Sequence, residues 1–345
     1  MRVLVTGGAG FIGTHVVRQL REEQHEVVVL DADARAPTPV DGVRRVTGDI
    51  RDQAAWTSCL EGVDAVCHLA AKVGLGSDLA DVTDYVDVND GGTATGLLAL
   101  HRAGYSGRLV LASSMVVYGE GRYRCSRHGD VRPGPRLAAD LEKGRFEPRC
   151  PSCGAALEGR PVAEWSPLDP RNVYAATKVH QEHLFQLFGR ARGSPVTRLR
   201  YHNVYGPDMP RDTPYAGVAA LFLSALRRGE RPQVFEDGAQ QRDFVHVDDV
   251  ARCTVSALTA DEPVDGPLNV ASGRPHTVGE LAEALADTQG PGAPRPEVTG
   301  AYRLGDVRHI VASPRRARQL LGFKARIRFA EGVAALAEAT PAAEP

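Results

Sequence analysis

The first 115 or so residues alternate two hydrophobic patterns. Short β-branched runs ("RVLVT", "EVVVLD", "VRRVTGD", "DAVCHLA", "RLVLASS") are separated by stretches with helical periodicity. The runs predict strands buried on both faces and the stretches predict helices laid over them, the signature of βαβ units on a parallel sheet. From about 120 to 165 the pattern dissolves into Gly, Pro and Arg around "CSRH" and "CPSC". Periodicity returns in the helix "YAATKVHQEHLFQLF". It continues through a strand "PVTRLRYHNV", a helix near 214 to 228, strands "QVF" and "DFVHV", a helix opening at Asp248, then "GPLNVAS" and the helix "TVGELAEAL". "GPGAPRP" reads as a stiff loop and "EATPAAEP" as a frayed tail.

These elements predict an α/β protein with a Rossmann-type doubly wound parallel sheet. Residues 1–119 and 163–200 would form the dinucleotide-binding domain and residues 120–162 an insertion. Residues 201–340 would form mainly a smaller C-terminal substrate lobe, with about 240–260 returning to the sheet.

Composition narrows the partners. The chain is 43% hydrophobic and 24% charged with a formal net charge of -2, so it carries no global field for nucleic acid or an anionic membrane, and a small polar ligand fits better. Met1 runs straight into "VLV", which leaves no room for a signal peptide, and no apolar run approaches the roughly 20 residues of a membrane span. A cytoplasmic protein is expected. There the six cysteines are thiols or metal ligands rather than disulfides, and Cys59, Cys67 and Cys253, in apolar runs, are small core residues.

"VTGGAGFIG" places Gly7, Gly10 and Gly13 after a strand and at the opening of a helix, where a missing Cβ lets the backbone approach a pyrophosphate at the helix N-terminus. Asp31, at the end of the second strand, is placed to accept hydrogen bonds from adenosine ribose hydroxyls and to repel a 2'-phosphate, which favours NAD over NADP. "GDI" would put Asp49 near the adenine; a solvated turn acid is the plainer reading.

"YAATK" sets Tyr174 and Lys178 four apart on one helical face, an ammonium beneath a phenol. A lysine and an oxidised nicotinamide both favour tyrosinate and would fit Tyr174 to exchange a proton with a sugar hydroxyl. Ser114 in "SSMVVYG" is placed to bond the same oxygen, while Ser113 is expected to serve the strand backbone. A lone YxxxK would be a surface pair, but the glycine motif and the serine strand shift that balance.

Cys125 and His128 in "CSRH", with Cys150 and Cys153 in "CPSC", form two chelating pairs with two-residue gaps. Three thiolates and an imidazole close a zinc tetrahedron and leave no position for reacting water, so the expected zinc is structural. The competing reading is an incidental Cys/His pair beside a redox or empty CxxC. A nucleic-acid knuckle is a further reading, since Arg122, Arg124, Arg127, Arg132 and Arg136 cluster there, but Glu120, Asp130, Asp140, Glu142 and Glu147 dilute that charge.

Taken together, "TGGAGFIG", "HLAA", Asn89, "SSMVVYG", "YAATK", "RYHNVYGP", "RDFVHVDDV" and "RLGDVRH" resemble the extended short-chain dehydrogenases/reductases of the NAD-dependent nucleotide-sugar epimerase and dehydratase group. The resemblance covers the chain apart from the insertion and the tail. It implies that Tyr174 is the proton shuttle, that Lys178 holds the nicotinamide ribose and tunes Tyr174, and that Ser114 completes the triad. It further implies a cofactor site lined by Phe11, Ile12, Ile50, Leu69, Ala70, Ala71, Lys72, Asn89, Tyr201 and Val204 beside the glycines and acids. On the substrate side it implies Ser114 and Met115 at the sugar, Asn203, Arg242 and Arg303 on the diphosphate, and Val234 and Phe235 near the base. For both arginines the alternative is an ion pair with Asp243 or Asp306. In dehydratases of the group the positions after the catalytic hydroxyl are acidic, and decarboxylating members carry a glutamate at the second; here they are Met115 and Val116. This points to C4 epimerisation through a transient 4-keto sugar, with a 4-keto-sugar reductase or dehydratase as alternatives and an NAD-sensing or zinc-knuckle scaffold as the non-enzymatic one. The insertion, with "AAKVGLGSDLADVTDYVDVND" upstream, resembles bacterial enzymes assigned as dTDP-L-rhamnose 4-epimerases. A homodimer is implied through helices including that of Tyr174. The motifs are shared across the group and select neither base nor sugar.

Overall fold

A computed structural model describes residues 1–35, 40–74, 79–210 and 217–339. Part of "VGLGSD", the start of the helix expected near 214 and the tail beyond 339 lie outside the described residues. The first half runs β1 (Arg2–Thr6), α1 (Phe11–Glu22), β2 (Glu26–Asp31), β3 (Arg44–Thr47), α2 (Gln53–Cys59), β4 (Ala65–His68) and α3 (Val82–Tyr85). A π-helical turn, Val86–Gly91, joins α3 to α4 (Gly92–Arg102), and β5 (Arg108–Ser114) follows. The insertion holds β6 (Arg122–Cys125), β7 (Gly129–Val131), α5 (Ala138–Leu141) and β8 (Glu158–Arg160). Beyond it come α6 (Val173–Arg192), β9 (Val196–Tyr201), β10 (Asn203–Tyr205), α7 (Val218–Arg227), β11 (Gln233–Val234), β12 (Gln241–His246) and α8 (Val247–Thr259). The chain closes with β13 (Gly266–Val270), β14 (Pro275–Thr277), α9 (Val278–Thr288), β15 (Glu297–Val298), α10 (Arg315–Leu321) and α11 (Phe329–Glu338).

Seven strands form one parallel sheet in the order β13-β9-β5-β4-β1-β2-β3. The strand residues divide by alternation. Val3 and Val5 enter a core with Val16, Val17 and Leu20 of α1 and Val250 and Leu258 of α8, whereas Leu4 enters a core with Trp56 of α2, Leu97 and Leu100 of α4 and Phe185 of α6. Helices therefore cover both faces of a sheet whose strands are apolar on both sides. Cys59, Cys67 and Cys253 are fully buried in these cores, as expected from their runs. The order reverses direction between β1 and β4, and a doubly wound sheet opens its ligand crevice at such a switch point.

The division of the second half is corrected at one strand. The segment that rejoins the main sheet is α8 with β13, because Gly266–Val270 pairs along β9; β12 pairs instead with β10 and β14. The smaller lobe packs α7, α9 and α11 around Phe222, Leu223, Val234, Phe244, Leu281 and Leu285. The insertion is a three-stranded antiparallel sheet, β7-β6-β8, over a core of only Tyr123, Cys125, Cys150 and Leu157 with Val131 at its edge. Its two ends meet: the Asp169 amide donates to the Val117 carbonyl at 2.8 Å, five residues before Tyr174.

Candidate active site

At the carboxyl end of β1 the chain turns through Gly7 in the left-handed region (φ 69°) and enters α1 at Gly10. A Cβ on Gly7 would lie 2.7 Å from the Ala70 nitrogen, and one on Gly13 only 2.1 Å from the Gly7 carbonyl oxygen. The loop is thus folded back on the first turn of α1, which carries no acidic side chain, and the N–H groups of that turn, at the helix N-terminus, are placed for an anion. Asp31 closes it: Oδ2 accepts the Ala9 N–H at 2.9 Å and Oδ1 that of Asp33 at 3.0 Å. A carboxylate with two further lone pairs toward solvent suits ribose hydroxyls. These features fit a dinucleotide.

The loop after β4 forms the opposite wall, with Leu69, Ala70, Ala71 and Lys72 all partly exposed. Thr6 Oγ1 accepts from Ala70 N at 3.3 Å and bonds His68 Nδ1 at 2.8 Å, so the histidine of "HLAA" is a buried, neutral pin, its pKa pushed down to about 3 by burial. Asn89 is fully buried in the π-helical turn. Its Oδ1 accepts from Lys72 N at 2.8 Å, and its Nδ2 donates to Lys72 O and to Thr177 Oγ1, each at 3.0 Å. Asn89, expected as a cofactor contact, ties the cofactor loop to α6 through these bonds. Two expectations are corrected by burial. Tyr201 sits in the core with its hydroxyl on Thr254 at 2.8 Å. Ile50 packs on Gly92 and gives its carbonyl to Trp56. The Asp49 carboxylate, on a partly exposed side chain, pairs with Arg51 at 2.7 Å, which also holds its pKa low. Phe11, Ile12 and Val204 are partly exposed beside the cleft-forming loops.

Helix α6 brings the chemistry together. Asn172 caps it, its side chain accepting from Ala175 N at 2.8 Å, and Gly193 ends it in the left-handed region. Tyr174, Lys178 and Glu182 then fall four apart on the face toward β5. The Ser114 hydroxyl lies beside the Tyr174 phenol and lowers its pKa against the rise that burial causes. Lys178 Nζ lies 5.8 Å from the Tyr174 ring centroid and donates to the Ala112 carbonyl at 2.9 Å. Burial drives the two pKa values in opposite directions: the Tyr174 phenol goes up, opposed by Ser114, and the Lys178 ammonium comes down to about 8, opposed by Asp90 and Glu182. Ser113 is corrected from a backbone partner to a side-chain one, since its hydroxyl donates to Glu182 Oε1 at 2.5 Å. Glu182 is in turn held at two points, each 2.8 Å, by Arg200. Neither was legible beforehand, because a Glu on a helix and an Arg on a strand have no spacing signature.

On the substrate side, Met115 begins a short 3-10 turn beside Ser114, and Asn203 opens β10. Arg303 stands over the Phe235 ring at 5.0 Å. Val234, expected at the base, is corrected to the core of the smaller lobe, fully buried, with its carbonyl on Thr299 at 2.9 Å. Arg242 donates to the carbonyls of Gln241, Val307 and Arg308 at 2.7 to 2.9 Å. The Asp243 carboxylate faces away, toward Ser272 and Gly273, so the alternative pair Arg242–Asp243 is not formed.

In the insertion, one ligand atom from each of Cys125, His128, Cys150 and Cys153 lies within 4.8 Å of all the others. The backbone N–H groups of Arg127 and His128 lower the Cys125 thiol pKa, and those of Ser152 and Cys153 lower the Cys150 one against its burial, which suits thiolates in two knuckles placed to face one ion. Among the described residues no helix is long and apolar enough to cross a membrane.

Comparison with known proteins agrees with this geometry. The profile of the NAD dependent epimerase/dehydratase family matches residues 3–138 and 152–271, passing over 139–151 within the insertion. A dTDP-L-rhamnose 4-epimerase from Burkholderia thailandensis is 33% identical over 97% of this chain and 93% of that protein. A UDP-glucose 4-epimerase from Mycolicibacterium smegmatis is 31% identical over 98% of each. Among solved structures, the Thermus thermophilus UDP-glucose 4-epimerase in complex with NAD superposes with a TM-score of 0.78 at 31% identity, covering 98% of both chains.

Proposed function

This chain belongs to the NAD dependent epimerase/dehydratase family, and from that premise we propose that it inverts C4 of a nucleoside-diphosphate sugar. The observation that carries the reading is a Ser114–Tyr174–Lys178 site whose following positions are Met115 and Val116, with no second acid or base for elimination beside the hydroxyl. Gly7, Gly10, Gly13 and Asp31 would hold NAD, which when bound accepts a hydride from C4 and gives it back. Tyr174 takes the C4 hydroxyl proton, helped by the neighbouring Ser114 hydroxyl, and later returns it. Lys178, fixed by the Ala112 carbonyl, supplies positive charge that favours the phenolate against the burial that opposes it. The 4-keto sugar turns over between the two halves of the reaction. A net reductase would use the same residues but suits a released, phosphorylated cofactor, against which Asp31 weighs. The substrate class follows the relatives, whose names specify dTDP-L-rhamnose and UDP-glucose. Asn203, Arg242 and Arg303 are proposed for its diphosphate and Phe235 for its base.

Zinc at Cys125, His128, Cys150 and Cys153 is part of this reading, supported by the four converging ligand atoms. A reducing cytoplasm suits a site of three thiolates. Exposed Val82, Val86, Leu98 and Leu187 on α3, the π-helical turn, α4 and α6 support a homodimer through that face. Incubating the purified protein with dTDP- and UDP-sugars and following C4 stereochemistry by NMR tests the function. Inverted product without added cofactor is expected; loss of water, or net reduction that consumes a nicotinamide, would replace the reading.

A further inference from the structure

Where the insertion meets the smaller lobe, a charge cluster with a buried centre and an exposed edge bears on the nucleotide-sugar site proposed above, on which its reading rests. Arg308 is 1% exposed, and all its N–H groups point at three carboxylates. Glu147 lies 2.7 Å away, Glu236 2.8 Å and Asp237 2.7 Å. Arg136, also buried, donates to Glu236 at 2.7 Å and to the Asp306 carbonyl at 2.6 Å. His309 completes the cluster on Glu147 at 2.9 Å. Arg136 and Glu147 come from the insertion; Glu236 and Asp237 follow Phe235, and Arg308 and His309 follow Arg303.

Glu236 itself stands at φ 54°, a left-handed conformation that a non-glycine residue keeps only where its surroundings over-determine it. Here its N–H donates to the Ala301 carbonyl at 2.7 Å and its carboxylate is clamped between Arg136 and Arg308. The same clamp fixes its chain neighbour Phe235, and so the Phe235–Arg303 stack. The 306–308 backbone is meanwhile gripped from one side by Arg136 and from the other by Arg242.

We propose that Arg136 and Glu147 are positioning residues for the nucleoside-diphosphate end of the substrate, acting through Glu236 and Arg308 on the Phe235–Arg303 shelf. The insertion is then a wall of the substrate site that sets affinity and stands apart from the proton and hydride chemistry. Removing the Arg136 charge frees Glu236 to relax toward an ordinary φ and carry Phe235 with it.

The test compares Arg136→Met, Arg136→Lys and Glu147→Gln with the unaltered protein. Each is checked for folding by circular dichroism and for NAD content, then titrated with UDP and dTDP by calorimetry and assayed on the sugar that is turned over. Arg136→Met and Glu147→Gln should each raise the diphosphate Kd and the sugar KM about tenfold while kcat stays within about twofold, and Arg136→Lys should largely restore binding. Glu147→Gln, at the partly exposed edge of the cluster, keeps its shape and gives the same readout if Arg136→Met does not fold. Unchanged Kd and KM in a folded variant would overturn the proposal, as would a fall in kcat at constant KM. If the unaltered protein bound neither UDP nor dTDP, the nucleotide-sugar reading itself would fall, and this proposal with it.

Discussion

Three side chains carry the proposed reaction, and each owes its chemistry to where it is buried. Tyr174→Phe keeps the ring and removes only the hydroxyl, so turnover should fall by about 10² to 10⁴ while bound NAD is retained. Steady-state rates together with the absorbance of nucleotide released on denaturation check both halves. That nucleotide should be NAD or NADH and not NADP, because a 2'-phosphate would meet Asp31, already aligned by Ala9 N–H. Lys178 carries a pH signature. Its folded pKa, about 8, lies below the ordinary lysine value near 10.4, so between those pH values the unfolded chain binds more protons and stability rises with pH. Lys178→Met should flatten that rise and increase stability at pH 7, as read from urea unfolding of cofactor-free protein between pH 7 and 10. The Tyr174–Lys178 spacing was legible because i, i+4 places two groups on one helical face. The fates of Asn89 and Tyr201 were not, since spacing does not tell which face of a turn or strand is the core.

At the scale of elements, the cofactor site is two loops held by one helix pair. The β1–α1 loop needs Gly13 because its Cβ would strike the Gly7 carbonyl, a backbone atom with nowhere to move. Gly13→Ala should cost about 1–3 kcal/mol and empty the cofactor site, seen as a lower melting temperature and no released nucleotide. The loop after β4 depends on Asn89, whose amide links it to Thr177 on α6. Asn89→Ala would leave those buried partners unmet, at about 1–3 kcal/mol, and should loosen NAD more than it slows chemistry. The glycine could be picked out beforehand because a strand–Gly-rich–helix order has a single geometric meaning. The asparagine's role required the tertiary contact between the π-helical turn and α6.

For the whole molecule, the insertion is the element least able to stand alone. Its core holds four buried side chains, two of them cysteines, whereas a structural zinc site contributes on the order of 10 kcal/mol of folding free energy. Metal analysis should therefore find about one zinc per chain, as in a closed four-ligand site. Cys150→Ser with Cys153→Ser should lose the ion, disorder residues near 120–160 and weaken nucleotide-sugar binding more than NAD binding. Hydrogen exchange and parallel titrations with NAD and with UDP or dTDP would separate these effects. A metal-free lobe that stays protected, with unchanged affinity, would remove zinc from the account.

The sequence by itself determined the parallel sheet, the glycine loop, the place of Asp31 at the end of β2, the shared helical face of Tyr174 and Lys178 and the two closely spaced Cys/His pairs, because each rests on local spacing that fixes a turn, a helical face or a short gap. Only the tertiary structure decided which side chains face the cleft and which face the core. It buried Val234 and Tyr201 and moved the returning strand to Gly266–Val270. It also turned Arg136 and Glu147, which read as dispersed surface charge along the chain, into partners of the buried Glu236 and Arg308. A buried charge is stable only opposite its partners, and those partners lie 72 to 161 residues apart in sequence, at distances that no local pattern encodes.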